Sequence, residues 1–278
     1  MENRLILVEG IPGSGKTMIS RKIKHDLESK GEKAILYNEG DVHPADLAWH
    51  AYISLNEFER IVKEYPKYKT SLIKYTQIEE NFALVAYTKL GIREKELFKY
   101  FEEHEVYDGR VPFEVFKKLH FKRWTKFVDQ VNSDSIIIFE CAYLQNHINE
   151  LFAFHNKDRD NIIKYMLELI NIVKKLKPIL IYLSQPDVGE TISRVAKERV
   201  SPDKSQYEDW IDLVISYVEK SMYGKLNNLK NFDGAIKFFE HRKKLELAVI
   251  EQLPIDKVVI ENPDYNWEKV FNKIKSLW

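Results

Sequence analysis

The chain has 278 residues, and its 43 Lys and Arg balance 43 Asp and Glu, so the formal net charge is zero. A hydrophobic fraction of 44% allows a sizeable core and excludes wholesale disorder. The neutral balance argues against nucleic acid or an anionic membrane as the partner. One cysteine excludes an internal disulfide and a cysteine-based zinc site. The first apolar run, 5–8, is too short for a signal peptide, so we predict a soluble, cytoplasmic protein with no membrane span.

Five short apolar runs predict β-strands, and they are Leu5–Val8, Ala34–Tyr37, Ser135–Phe139, Pro178–Leu183 and Lys257–Ile260. They have little polar alternation, which is typical of parallel strands that are covered on both faces. Helical periodicity follows the first run from Lys16 to Lys30, and Gly31 is a suitable C-cap. The alternation of strand and helix predicts an α/β fold, with a five-stranded parallel sheet flanked by helices.

The spacing of these runs is uneven. About 95 residues separate the second and third strands, and about 70 separate the fourth and fifth. Both segments are rich in Lys, Glu, Leu, Phe and Tyr and poor in Gly and Pro, so we interpret them as large helical insertions at about 44–132 and 187–252. Because the sequence contains no repeat and no Gly/Ser linker, we expect 1–278 to be a single domain.

Residues 10–17 match the phosphate-binding pattern G-x-x-x-x-G-K-[ST], or Walker A, in full: Gly10-Ile11-Pro12-Gly13-Ser14-Gly15-Lys16-Thr17. The glycines let the backbone N–H groups wrap a phosphate, and the following helix presents its positive N-terminus. We expect Lys16 to reach the β- and γ-phosphates and the Thr17 hydroxyl to ligate Mg²⁺. A chance match arises about once in a hundred chains of this length. The motif therefore predicts a P-loop NTPase fold that binds ATP and Mg²⁺.

Three further features accompany the motif. Val8-Glu9 leads into Gly10; the third strand ends at Glu140; and the fourth strand is followed by a Pro186-Asp187 turn and a helix that carries arginines. Together these segments, about a third of the chain, resemble the deoxynucleoside kinase and thymidylate kinase group. The resemblance implies a small-molecule kinase in which Arg194 and Arg199 belong to a lid that closes over the phosphates.

The chain departs from that family at two places. Glu140 is followed by Cys141 and Ala142, so the family's substrate-contacting arginine is missing. The second strand leads into 38–44, Asn-Glu-Gly-Asp-Val-His-Pro, where the family has a Glu-Pro pattern. The identity of the phosphate acceptor therefore stays open between a nucleoside, a nucleotide, an antibiotic and a sugar.

Three sets of charged residues are candidates for the chemistry. Glu39 or Asp41, at the end of the second strand, is in the right place for the base that activates the acceptor; the alternative is an acidic turn in which Asp41 caps the helix after Pro44. Glu140 ends an apolar strand and is a candidate Mg²⁺ ligand. Arg194 and Arg199 are five residues apart, about 140° around a helix, so spacing alone does not place both on one face.

We therefore predict an ATP-dependent phosphotransferase with a small-molecule acceptor, a nucleoside or nucleotide first. An alternative of another class is a nucleotide-dependent switch ATPase that is gated by a protein or RNA partner. A rate that depends on the acceptor distinguishes the enzyme from the switch.

Overall fold

The computed structural model of the protein describes residues 3–132, 134–204 and 207–278. In chain order, the strands are β1 (Leu5–Glu9), β2 (Lys33–Tyr37), β3 (Ala51–Ser54), β4 (Thr76–Glu79), β5 (Phe82–Val85), β6 (Ser135–Glu140), β7 (Pro178–Ser184) and β8 (Asp256–Glu261). The helices are α1 (Lys16–Ser29), α2 (Leu55–Glu64), α3 (Lys69–Lys74), α4 (Lys95–Glu103), α5 (Phe113–Gln130), α6 (Gln145–Asn149), α7 (Arg159–Ile172), α8 (Val188–Glu198), α9 (Trp210–Lys220), α10 (Met222–Leu226), α11 (Asn231–Gln252) and α12 (Trp267–Ile274).

The described chain divides into two compact units. The first contains 1–41 and 124–278, and the second contains 42–123. The prediction of a single domain over 1–278, with insertions at about 44–132 and 187–252, stays a prediction. Within the described residues, no helix has both the length and the apolar character that a membrane crossing requires.

A five-stranded parallel sheet forms the centre of the first unit, in the order β2-β6-β1-β7-β8. Every residue of β1, β6 and β7 is buried, which explains why these strands lack polar alternation. Ile6 and Val8 pack against α1 and α12 on one face of the sheet. On the other face, Phe139 contacts the rings of Trp124 and Phe127 in α5. The predicted five-stranded parallel α/β sheet is confirmed.

The second unit contains an antiparallel sheet of three short strands, in the order β3-β5-β4. Ala51 and Ile53 point into its core with Phe58 and Phe101, whereas the alternate residues of β3 are half-buried. The prediction that this insertion is helical is therefore wrong for β3, β4 and β5, although α2 and α3 lie between them. Each strand is only four residues long. In the turn between β4 and β5 the left-handed residue is Glu80, at φ 55, and not the glycine that usually indicates such a turn in a sequence. The described part of the later insertion, 187–252, is helical, as predicted.

Candidate active site

The phosphate-binding motif lies between β1 and α1, at the carboxyl edge of the sheet. Gly15 is the N-cap of α1 at φ 90, a left-handed conformation that favours glycine. A Cβ at this position would lie 2.2 Å from the indole of Trp267, so a side chain would also collide with the start of α12. Lys16 opens α1 and is buried, and its Nζ donates to the carbonyls of Gly10 at 2.8 Å and Ile11 at 3.0 Å. Its ammonium group thus lies against the same loop whose N–H groups are suited to phosphate.

Thr17 and Glu140, the two residues that the sequence nominates for Mg²⁺, are in contact. The Thr17 hydroxyl donates to Glu140 Oε1 at 2.5 Å, although 123 positions separate them in the chain. Burial raises the pKa of the Glu140 carboxyl, and the Thr17 hydrogen bond and the positive charge of Lys16 oppose that rise. Hydroxyl and carboxylate oxygens are the ligands that Mg²⁺ prefers, so this pair fits the ion.

The two candidate bases have different surroundings. Asp41 Oδ2 accepts hydrogen bonds from the backbone N of Asn38 at 2.8 Å and from its Nδ2 at 3.2 Å, so this carboxylate closes a turn. The expectation that Asp41 caps a helix after Pro44 is wrong, because the next helix begins only at Leu55. Glu39 Oε1 instead accepts from Gln145 Nε2 at 3.1 Å.

Glu39 also acts electrostatically on Glu140 of the Thr17–Glu140 pair. Its negative charge contributes to the raised pKa of Glu140, and it acts in the same direction on the pKa of the buried Cys141 thiol. The side chain of Glu39 is exposed at the edge of the sheet. Of the two candidates, Glu39 is therefore the one whose charge acts on Glu140.

The two arginines of the predicted lid are also separated by the fold. Arg194, within α8, donates from Nη2 to the Gly13 carbonyl at 2.9 Å, and its guanidinium lies 3.9 Å from the ring centre of Tyr265. Arg199 follows the last residue of α8, and its guanidinium lies 5.4 Å from the ring centre of Trp210. Of these two arginines, only Arg194 has a contact with the phosphate-binding loop among the interactions of the described residues.

Glu9 has a structural role at the site that the sequence did not reveal. It ends β1, is fully buried, and its Oε1 accepts from the backbone N of Tyr143 at 2.7 Å. Its Oε2 accepts from the backbone N of Gln145 at 3.2 Å. Burial raises the pKa of this carboxyl to about 7, against the effect of these backbone hydrogen bonds. The sequence shows only an acidic residue at the end of an apolar strand, and this pattern does not indicate which backbone N–H groups the carboxylate binds.

No protein-family model matches this sequence, and no curated protein matches it. Among solved structures, the chain is similar to the YorR protein from Bacillus subtilis, whose crystal structure is a complex with phosphorylated GDP. The two share 11% sequence identity, with 98% of this chain and 94% of that chain covered and a TM-score of 0.43. At that level of similarity the activity has to be inferred from the site itself.

Proposed function

We propose that this protein is a P-loop phosphotransferase that moves the γ-phosphate of ATP to a small molecule, a nucleoside or nucleotide in the first instance. The contact between Thr17 and Glu140, at 2.5 Å, is the observation that carries the proposal. A threonine after the P-loop lysine and a carboxylate at the end of a neighbouring strand are together what a Mg²⁺-nucleotide site needs. Membership of the deoxynucleoside kinase and thymidylate kinase group is part of this proposal.

Binding of the triphosphate is assigned to the loop 10–17. Its backbone N–H groups and the N-terminus of α1 hold the phosphate oxygens. Lys16 exchanges its hydrogen bonds to the Gly10 and Ile11 carbonyls for the β- and γ-phosphates. Thr17 and Glu140 would hold Mg²⁺, which neutralises charge on the phosphates when it is bound.

Glu39 is our choice for the base, since Asp41 is engaged in its own turn. The carboxylate of Glu39 accepts the proton of the acceptor hydroxyl as that oxygen attacks the γ-phosphorus, the bond from the γ-phosphorus to the bridging oxygen breaks, and ADP leaves. If the acceptor is already a phosphate, no base is needed. Arg194 supplies positive charge at the P-loop and stabilises the phosphoryl group in transfer. Phosphoryl transfer depends mainly on such positioning and charge stabilisation.

The nucleobase is assigned to the surface that Arg194 and Tyr265 form beside the loop. Their guanidinium-to-ring distance of 3.9 Å makes a flat, cationic and aromatic patch. A purine stacks well on such groups, so this patch is suited to hold the base.

The test is ADP release from Mg-ATP across a panel of nucleosides, nucleoside monophosphates, aminoglycosides and simple sugars. Lys16→Ala serves as the blank, and its thermal unfolding is measured to verify that it folds. We expect a large rate with one acceptor class and none with Lys16→Ala. A flat panel above slow, Lys16-dependent hydrolysis would instead favour a switch ATPase that is gated by a protein or RNA.

A further inference from the structure

Gln145 occupies an unusual place beside the candidate base. It is the first residue of α6, only 7% exposed, and it follows the strand that ends at Glu140. Its Nε2 donates to Glu39 Oε1 at 3.1 Å, across 106 positions of the chain. Glu39 itself is exposed, so this hydrogen bond joins an exposed side chain to a buried one.

The backbone of Gln145 is held by a buried residue of the sheet, Glu9. Its backbone N donates to Glu9 Oε2 at 3.2 Å, and the backbone N of Tyr143 donates to Glu9 Oε1 at 2.7 Å. Since β6 lies between β1 and β2, the contacts run along the carboxyl edge from Glu9 on β1, through the segment after β6, to Glu39 after β2. A buried carboxylate therefore fixes the backbone that carries the amide.

We propose that Gln145 is a positioning residue that holds the Glu39 carboxylate in the orientation needed to accept the acceptor's proton. This inference rests on the proposed function and on the choice of Glu39 as the base. A single amide donor occupies one oxygen of Glu39 and leaves the other for the acceptor. Because the amide is neutral, it orients the carboxylate through a hydrogen bond without placing a charge beside it.

The chemistry of this contact predicts which step depends on it. Among the hydrogen bonds of the described residues, the Gln145 side chain donates to Glu39 and makes none with residues 10–17. Loss of the amide therefore leaves the affinity for Mg-ATP unchanged and lowers the rate of transfer. A misoriented base typically costs about 10- to 100-fold in rate.

The experiment is a double-mutant cycle with Gln145→Leu, Glu39→Gln and the double variant. Single-turnover transfer to the acceptor from the panel and calorimetric binding of Mg-ATP are measured for each. We expect Gln145→Leu to lower kcat about 10- to 100-fold with the KM for ATP unchanged. In the Glu39→Gln background, the same change should have no further effect, because the base it serves is gone.

Further variants separate positioning from simple structural support. Gln145→Glu keeps the size of the side chain but places a carboxylate against Glu39, and it should lower kcat at least as much as Gln145→Leu. Gln130→Leu makes the same chemical change on the exposed end of α5 and serves as the control. Thermal unfolding of every variant reports whether it folds.

The outcomes distinguish this inference from the proposed function. Full activity of Glu39→Gln overturns the base assignment itself. An inactive Glu39→Gln beside a fully active Gln145→Leu overturns only the role of Gln145. An equal loss from Gln145→Leu in both backgrounds also overturns it, since that result is what a purely structural side chain produces.

Discussion

The guanidinium of Arg194 donates to the carbonyl of Gly13 at 2.9 Å, which ties α8 to the middle of the phosphate-binding loop. The same guanidinium stacks on Tyr265 and pairs through Nη1 with Glu198 at 2.8 Å. One side chain thus joins the loop after β1 to the segment after β8. This contact distinguishes Arg194 from Arg199, which the spacing in the sequence could not do.

We predict that Arg194→Ala reduces kcat/KM for ATP about 100-fold, because it removes the positive charge beside the loop. Arg199→Ala removes the same chemical group just after the end of α8 and should cost far less, since Arg199 lies over Trp210. Steady-state kinetics of the two variants with the acceptor from the panel decide the question. Equal losses would contradict the assignment of Arg194.

We predict that Glu39→Gln lowers the single-turnover transfer rate to a hydroxyl acceptor about 100-fold or more, the usual loss for a missing general base. Asp41→Asn should lower it much less, because its carboxylate is bound to Asn38. Both substitutions remove one charge and keep the size of the side chain, so they form a matched pair. A larger loss in Asp41→Asn would exchange the two roles.

We predict that Thr17→Ala and Glu140→Gln raise the Mg²⁺ concentration needed for half-maximal turnover by about tenfold or more, because each removes an oxygen from the proposed site. The measurement is a Mg²⁺ titration at saturating ATP. Thr17→Ser keeps the hydroxyl and is the control for Thr17→Ala. An unchanged Mg²⁺ requirement in Glu140→Gln would remove Glu140 from the metal site.

Glu9 should make the stability of the protein depend on pH. Burial raises the pKa of its carboxyl from 4.5 to about 7. Between those values the folded protein holds a proton that the unfolded chain releases, so stability falls as the pH rises. The contribution is complete below pH 4.5 and is lost as the pH rises through 7, for a total of about 3 kcal/mol.

Urea unfolding of wild type and Glu9→Gln from pH 4 to 8 tests this prediction. The variant carries no ionisable group at this position, so its free energy of unfolding should fall less with pH, even though one backbone hydrogen bond is lost. Burial also raises the pKa of Glu105 to about 7, and its contribution remains in both proteins. Identical slopes in the two proteins would show that Glu9 does not titrate in this range.

A buried ion pair beneath the sheet should be important for stability. Arg242 and Glu246 of α11 are 1% and 0% exposed, and Arg242 Nε lies 3.1 Å from Glu246 Oε1. Glu246 Oε2 also accepts from the Tyr182 hydroxyl at 2.6 Å. We predict that Glu246→Leu lowers the free energy of unfolding by about 3–5 kcal/mol, because it leaves Arg242 buried without its counter-charge.

The double variant Arg242→Leu/Glu246→Leu should recover much of that loss, since no unpaired charge remains. Urea unfolding at one pH measures both effects. If Glu246→Leu alone cost less than about 1 kcal/mol, the pair would not be the source of stability.

The sequence was sufficient for the parallel sheet and for the phosphate-binding loop. All five runs are strands. The central strands β1, β6 and β7 are buried on both faces and must be apolar throughout, whereas the edge strands β2 and β8 are partly exposed. The motif 10–17 is contiguous, so its eight residues by themselves are enough to predict the conformation of the loop. The strands at 51–85 were missed for the opposite reason: they are short, and Glu80 rather than glycine makes the turn.

The choice among candidate residues came from the tertiary structure alone. Arg194 meets Gly13 across 181 positions, and Glu39 meets Gln145 across 106. A sequence pattern involves only neighbours in the chain. It offers both Glu39 and Asp41 as the base, and both Arg194 and Arg199 as the lid arginine, but it does not favour one of either pair. Parallel strands bring their carboxyl ends to one edge, and only that packing decides which of these side chains lies against the loop.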